Sequence, residues 1–226
     1  VKKGRKAHVP TDGPTRNPAF ESRVDWIAKN VAKERIFFVS HTGDIVDYKS
    51  DMQWSFASNL MTRLEGVVPY GVSMGNHDLE FVGCEGFNRY FPRSRYEKFP
   101  WYAGGFDGYE RKHPKTGETI RVCWGNADSC QLAEIDGHRF VFLHLECNAP
   151  ADVLRWVDGM LDRYADRKAV NSYLMKKWFG NYIDCDIEAV SMHDDTTICV
   201  PEGRVARIER LSVGQFGYGL CDGILH

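Results

Sequence analysis

Two short clusters of the 226-residue chain gather side chains able to hold cations and move protons: Gly43-Asp44-Ile45-Val46-Asp47 and Gly75-Asn76-His77-Asp78. Carboxylates and the amide oxygen of Asn are ligands for divalent cations. An imidazole exchanges protons near neutral pH. Gly-Asp and Gly-Asn-His-Asp are also ordinary turn sequences, so their chemistry depends on whether the chain brings them together.

The flanking segments predict that it does. Ile36-Phe37-Phe38-Val39 is an apolar run without alternation, the pattern of a strand covered on both faces, and it ends just before the first cluster. A helical stretch follows, and a second apolar run, Tyr70-Gly71-Val72-Ser73-Met74, ends at the second cluster. Strand, helix, strand implies two parallel strands, with both polar turns at one edge of the sheet.

In order and spacing, G-D-x-x-D and G-N-H-D resemble the motifs of the calcineurin-like metallophosphoesterases. The resemblance is tight from residue 36 to 78 and looser from Asn17 to Val170. It implies an α/β fold, a four-layer α/β/β/α sandwich of two mixed sheets with flanking helices. It also implies a phosphoesterase that hydrolyses phosphate mono- or diesters with water activated by two divalent ions. The alternative is a catalytically degenerate member that binds a phosphorylated ligand or a protein partner.

On this resemblance Asp44 stands where the bridging carboxylate is found, and Asn76 gives its amide oxygen to the second metal. His77 meets the leaving-group oxygen, Asp78 accepts a hydrogen bond from its other ring nitrogen, and Asp47 steadies the Asp44 turn. Mixed oxygen and nitrogen ligands favour Mn, Fe or Zn over Mg. Where the family's first strand ends in a ligand Asp, this chain has Val-Pro-Thr-Asp-Gly, making Asp12 the candidate and an Asp-Gly turn the competing reading; His8 is weaker.

After Val170 the expected ligand His and the later G-H-x-H turn are missing, and His193 is the substitute candidate. Three explanations stand open: a segment absent between Val170 and Asn171, a site completed by Asp12 and His193, or loss of catalysis.

The remaining elements frame this edge. Asn17-Pro18 caps a helix whose apolar stripe is Phe20, Val24, Ile27 and Val31. Ser50 and Gln53 form a capping-box pattern on the crossover helix, with Met52, Phe56, Leu60 and Leu64 as its expected buried face. Leu79 to Gly117 reads as long ordered loops beside the site, where Asn88, Arg89, Arg93 and Arg95 are candidates to face a phosphate. Asp136-Gly137 predicts a hairpin between strands at Ser129 to Glu134 and Arg139 to Glu146. His144, between apolar neighbours, reads as a core histidine, and Ala151 to Tyr164 as an amphipathic helix.

Residues 1–16, basic and then rich in Pro, Gly and Thr, read as an irregular arm before a single domain over 17–226. The start at Val-Lys-Lys-Gly-Arg-Lys, without methionine, is expected of a trimmed or processed chain, so a cytoplasmic or a secreted address is equally compatible. A formal net charge of −2 gives no field that would attract a nucleic acid, and no apolar run approaches the ~20 residues of a membrane span. Seven cysteines lack any C-x-x-C pair; a Cys123–Cys130 bridge is conceivable.

Overall fold

The computed structural model describes residues 17–80, 83–172, 187–191 and 212–214. Asp12 and His193, with the arm over residues 1–16, lie outside these residues.

The first sheet has strand order β10-β9-β1-β2, with β1 at Ile36–His41, β2 at Tyr70–Val72, β9 at Ile187–Ser191 and β10 at Ser212–Gly214. β1 and β2 are parallel, and α2 (Asp51–Thr62) crosses between them. The second sheet has order β3-β6-β7-β8, with β3 at Tyr102–Gly105, β6 at Ser129–Ile135, β7 at His138–His144 and β8 at Lys168–Ser172. Here β7 and β8 are parallel, joined over α5 (Ala151–Arg163). Each mixed sheet therefore contains one strand–helix–strand crossover. A small separate ribbon pairs β4 (Tyr109–Lys112) with β5 (Thr119–Val122).

The sheets stack face to face because β7 alternates. Phe140 and Phe142 join Phe37 and Phe38 of β1 in the cluster between the sheets, whereas Val141, Leu143 and Leu145 pack with Val153, Val157 and Met160 of α5. Phe38 lies flat on Phe142 with centroids 3.7 Å apart. α1 (Pro18–Asn30) and α2 cover the outer face of the first sheet through Val24, Ile27, Trp54, Leu60 and Met61. Helix, sheet, sheet, helix is the four-layer arrangement the motifs implied.

Local signals act as expected at the ends. Asn17 Oδ1 accepts the Phe20 N–H at 3.0 Å. Asp136 and Gly137, at φ 51° and 77°, make the tight turn between β6 and β7.

Three expectations need correction. Of the residues expected to face the core, Leu60 and Leu64 are buried and Phe56 is partly so, but Met52 is exposed and Trp54, Ala57 and Met61 are turned inward instead. The helix is rotated because Trp54 must also pack on Phe87, Tyr90 and Phe91 of α3 (Glu85–Tyr90) and the residue after it. The stretch from Leu79 to Gly117 holds α3, α4 (Arg93–Tyr96), β3 and β4, elements of four to six residues, too short for a period to emerge. Cys84, Cys123, Cys130 and Cys147 are buried free thiols, so no Cys123–Cys130 bridge forms. Among the described residues no helix is long and apolar enough to cross a membrane.

Candidate metal centre and active site

Parallel pairing of His41 with Val72 brings the ends of β1 and β2 level, so the turns that follow them meet. Gly43 at φ 116° and Asp44 at φ 50° fold the first turn back sharply through left-handed backbone, a conformation disfavoured for a residue with a Cβ such as Asp44. The second turn fits directly against it. A Cβ on Gly43 would lie 2.8 Å from the Gly75 nitrogen, and one on Gly75 would lie 2.1 Å from Asp44 Oδ1. Glycine at both places is what lets the two backbones touch.

Hydrogen bonds then cross the contact in both directions. Asp78 Oδ2 accepts the N–H groups of Gly75 at 2.8 Å and Ile45 at 3.2 Å, and its Oδ1 accepts that of Val46 at 3.1 Å. Asp44 Oδ1 accepts the N–H of His77 at 2.8 Å. Burial pushes the Asp78 carboxyl up to about 7; the N–H groups of Gly75, Val46 and Ile45 pull it down, and the charge of Asp44 pushes with burial.

His77 Nδ1 lies 2.9 Å from the carbonyl oxygen of Asp47 and 3.2 Å from its Oδ1. The partner that orients His77 is thus Asp47, and the residue that steadies the Asp44 turn is Asp78, the reverse of the expected assignment. Chain adjacency misleads here because consecutive turn residues project to different sides: Asp78 is fully buried beneath both turns, while the His77 side chain is 32% exposed. Gln53 supports Asp47 from α2. Its N–H donates to Ser50 Oγ at 3.3 Å, and its Oε1 accepts the N–H groups of Asp47 and Tyr48 at 2.9 and 2.8 Å. The capping glutamine therefore reaches past the cap into the motif turn.

His41 faces inward beneath the first turn, its Nδ1 accepting the Gly43 N–H at 3.3 Å, and burial pushes the ring down to about 3. His144 is a core histidine between the sheets, hydrogen-bonded to Ser40 Oγ at 2.8 Å and Gln131 Oε1 at 2.7 Å.

The expected phosphate contacts fall elsewhere. Asn88 is buried, its Nδ2 donating to the Trp124 carbonyl at 2.6 Å and its Oδ1 accepting the Asn126 N–H at 3.0 Å. Arg93 donates to the carbonyls of Gly125, Gly105 and Phe106 and to Asp107. Arg89 pairs with Asp51 on the exposed surface at 3.5 Å. Arg95 pairs with Glu65 at 2.7 Å. Loop carbonyls need donors, and Asn88 and Arg93 supply them to residues 105–125, whereas Arg89 ties α3 to the start of α2.

One pair at this edge was not foreseen. Met74, just before Gly75, bridges in parallel to Glu146 beyond the end of β7, and the Glu146 N–H donates to Asp128 Oδ1 at 2.8 Å. Both carboxyls are buried, which raises each of them, and their mutual repulsion raises Asp128 further. The available signal was an acidic residue ending an otherwise apolar strand at the site edge.

Asp44 and the half-buried Asn76 present hard oxygen donors on adjoining turns, a donor set suited to a divalent cation. Among the described residues no three His, Cys, Asp or Glu side chains converge to hold one. The described residues thus fit part of a metal shell.

The chain is 27% identical over 158 residues to a Bacillus subtilis (strain 168) protein named uncharacterized protein YvnB, an alignment covering 68% of this chain and 11% of that protein. The family model described as calcineurin-like phosphoesterase, a family that uses divalent metal ions, matches residues 8–197. With the two motif turns joined at one sheet edge of a four-layer sandwich, the chain belongs to the calcineurin-like phosphoesterase family.

Proposed function

We propose that this chain hydrolyses phosphate mono- or diesters at the edge formed by Asp44, Asn76 and His77. The observation that supports this most is the contact of the two motif turns, which sets two oxygen ligands beside a histidine braced by Asp47. Asp44 and Asn76 would hold divalent ions, two in the proposed site and of Mn, Fe or Zn character, with Asp12 and His193 as further candidate ligands outside the described residues. When bound, such ions neutralise phosphate oxygens and acidify water near neutral pH.

The chain's own residues do the rest. Asp47 fixes the His77 ring through Nδ1, so the proton passed to the leaving-group oxygen would come from Nε2 as the ester P–O bond breaks and a water oxygen bonds to phosphorus. General acid help of this kind is worth ~10²–10⁴-fold. The proposed partner is a small phosphate ester; the net charge of −2 gives no reason to invoke nucleic acid.

A second reading is a binding protein without turnover, to which the departure of the sequence from the family's His motifs after Val170 points. Metal content and hydrolysis of a chromogenic phosphodiester and monoester with added Mn²⁺ separate the two. Turnover that falls ~10²–10⁴-fold in His77→Ala is the expected result. Wild-type protein that neither retains metal nor turns over either ester with Mn²⁺ would leave binding as the function.

A further inference from the structure

We infer that Asp78 is a positioning residue whose carboxylate joins the Asp44-bearing turn to the Asn76-bearing turn and so sets the separation of the two metal ligands. The metal half of this inference rests on the phosphoesterase reading; the joint itself does not.

Two strands in register bring two turns near each other, but nothing in a β-ladder fixes turns that lie beyond its last pair. β1 and β2 are paired as far as His41 and Val72, with a further Ser73 N–H to His41 carbonyl bond of 2.8 Å. Asp44 lies beyond that point on one strand and Asn76 on the other. What spans the gap is a buried carboxylate that binds main-chain N–H groups on both sides: Ile45 and Val46, which follow Asp44, and Gly75, which precedes Asn76. The reciprocal bond from His77 N–H to Asp44 Oδ1 closes the ring of contacts.

The donors Asp78 holds are the main-chain groups next to each ligand. A displacement of either turn therefore moves a ligand directly. Gly43 and Gly75 supply the space, and Asp78 supplies the bond that keeps the turns together within it. Asp78 is hidden beneath the site and its oxygens point away from solvent, which suits a brace and not a group that meets substrate. The last Asp of G-N-H-D is thus explained by spacing. Supporting partners of metal ligands typically change metal affinity 10–100-fold when lost.

Asp78→Asn is the test, since the amide has the same shape but turns an N–H₂ toward N–H donors. In metal-free protein, amide hydrogen exchange at Ile45, Val46 and Gly75 is expected to quicken by at least ~10-fold against unchanged rates in β7. Titration with Mn²⁺ is expected to weaken ~10–100-fold, while His77→Ala keeps near-wild-type Mn²⁺ affinity and wild-type exchange at those amides. Raised Mn²⁺ should restore turnover in Asp78→Asn but not in His77→Ala. Unchanged exchange at the three amides would overturn the joint, and unchanged Mn²⁺ affinity with quickened exchange would overturn its role in ligand spacing. If the wild type binds none of Mn²⁺, Fe²⁺ and Zn²⁺, the phosphoesterase reading fails, and exchange alone then decides whether Asp78 joins the turns.

Discussion

Two fully buried polar groups sit two residues apart on and just beyond β7, and they are built in opposite ways. At His144 each ring nitrogen has a partner, Ser40 Oγ on one side and Gln131 Oε1 on the other, and Gln131 is itself held by Ser129 Oγ at 2.9 Å. At Asp128 and Glu146 one carboxyl oxygen on each, Oδ2 and Oε1, has no hydrogen-bond partner among the described residues, although the Tyr109 hydroxyl and the Cys123 thiol act on the Glu146 carboxyl and pull it down. The first is a closed network that suits a neutral imidazole with its proton on Nδ1. The second is two buried acids whose charged forms burial disfavours, with the charge of Glu146 raising Asp128 further. Burial of a titratable group thus says little by itself; the count of partners separates a structural histidine from a strained acid pair.

The largest expected break in this comparison is Gly71→Ala. A Cβ on Gly71 would lie 2.2 Å from His144 Cε1, and the ring cannot turn aside without losing a bond at each nitrogen. Overpacking a held side chain should destabilise the fold by about 3 kcal/mol or more, read as a lowered midpoint in urea. An Ala variant of wild-type stability would show that the sheets are not locked at His144.

The pH dependence of stability should separate the two groups by sign. Burial, with His41 adding to it, pushes His144 down to about 3, against about 6.5 in an unfolded chain. Between these values only the unfolded state takes up the proton, so the wild type, compared with His144→Gln, should lose about 1.4 kcal/mol per unit as pH falls from 6.5 toward 3. Asp128 is raised, so from about 4 upward the folded state holds a proton that the unfolded state has lost. Compared with Asp128→Asn, the wild type should therefore lose stability as pH rises above that value, the opposite sign to His144. Parallel profiles in wild type and Asp128→Asn would show that folding does not raise Asp128.

The smallest change, Ser40→Ala, takes the donor from His144 Nε2 and leaves a buried acceptor unpaired, a cost of about 1–3 kcal/mol measurable by denaturant titration. A neutral outcome would mean that the network tolerates an open position, and the contrast with Glu146 and Asp128 would weaken.

How much of this was legible in the sequence depended on the range of the interaction. β1, its turn, β2 and its turn were readable because apolar runs and turn residues are local signals, as were the Asn17 cap and the Asp136-Gly137 hairpin. The division of labour between Asp47 and Asp78 was not, since it depends on which side of a turn each carboxylate leaves, a matter of backbone angles and not of order. Asn88 and Arg93 look like anion ligands from their chemistry, but the carbonyls of Trp124, Gly125 and Gly105, distant in sequence, engage them. The buried face of α2 was displaced for the same reason, because Trp54 answers to α3 as well as to the sheet.

The paired crossovers bear on how the molecule assembles. β1-α2-β2 and β7-α5-β8 each close over a short length of chain, so each half can gather its parallel pair through contacts made nearby. The bond from Ser40 to His144 spans 104 residues and, with the stacking of Phe38 on Phe142, belongs to neither half. Such distant contacts carry the larger closure entropy and are expected to govern the folding rate. The contacts that create the common core, and that set Met74 against Glu146 beside the metal-ligand turns, are therefore of this long-range kind.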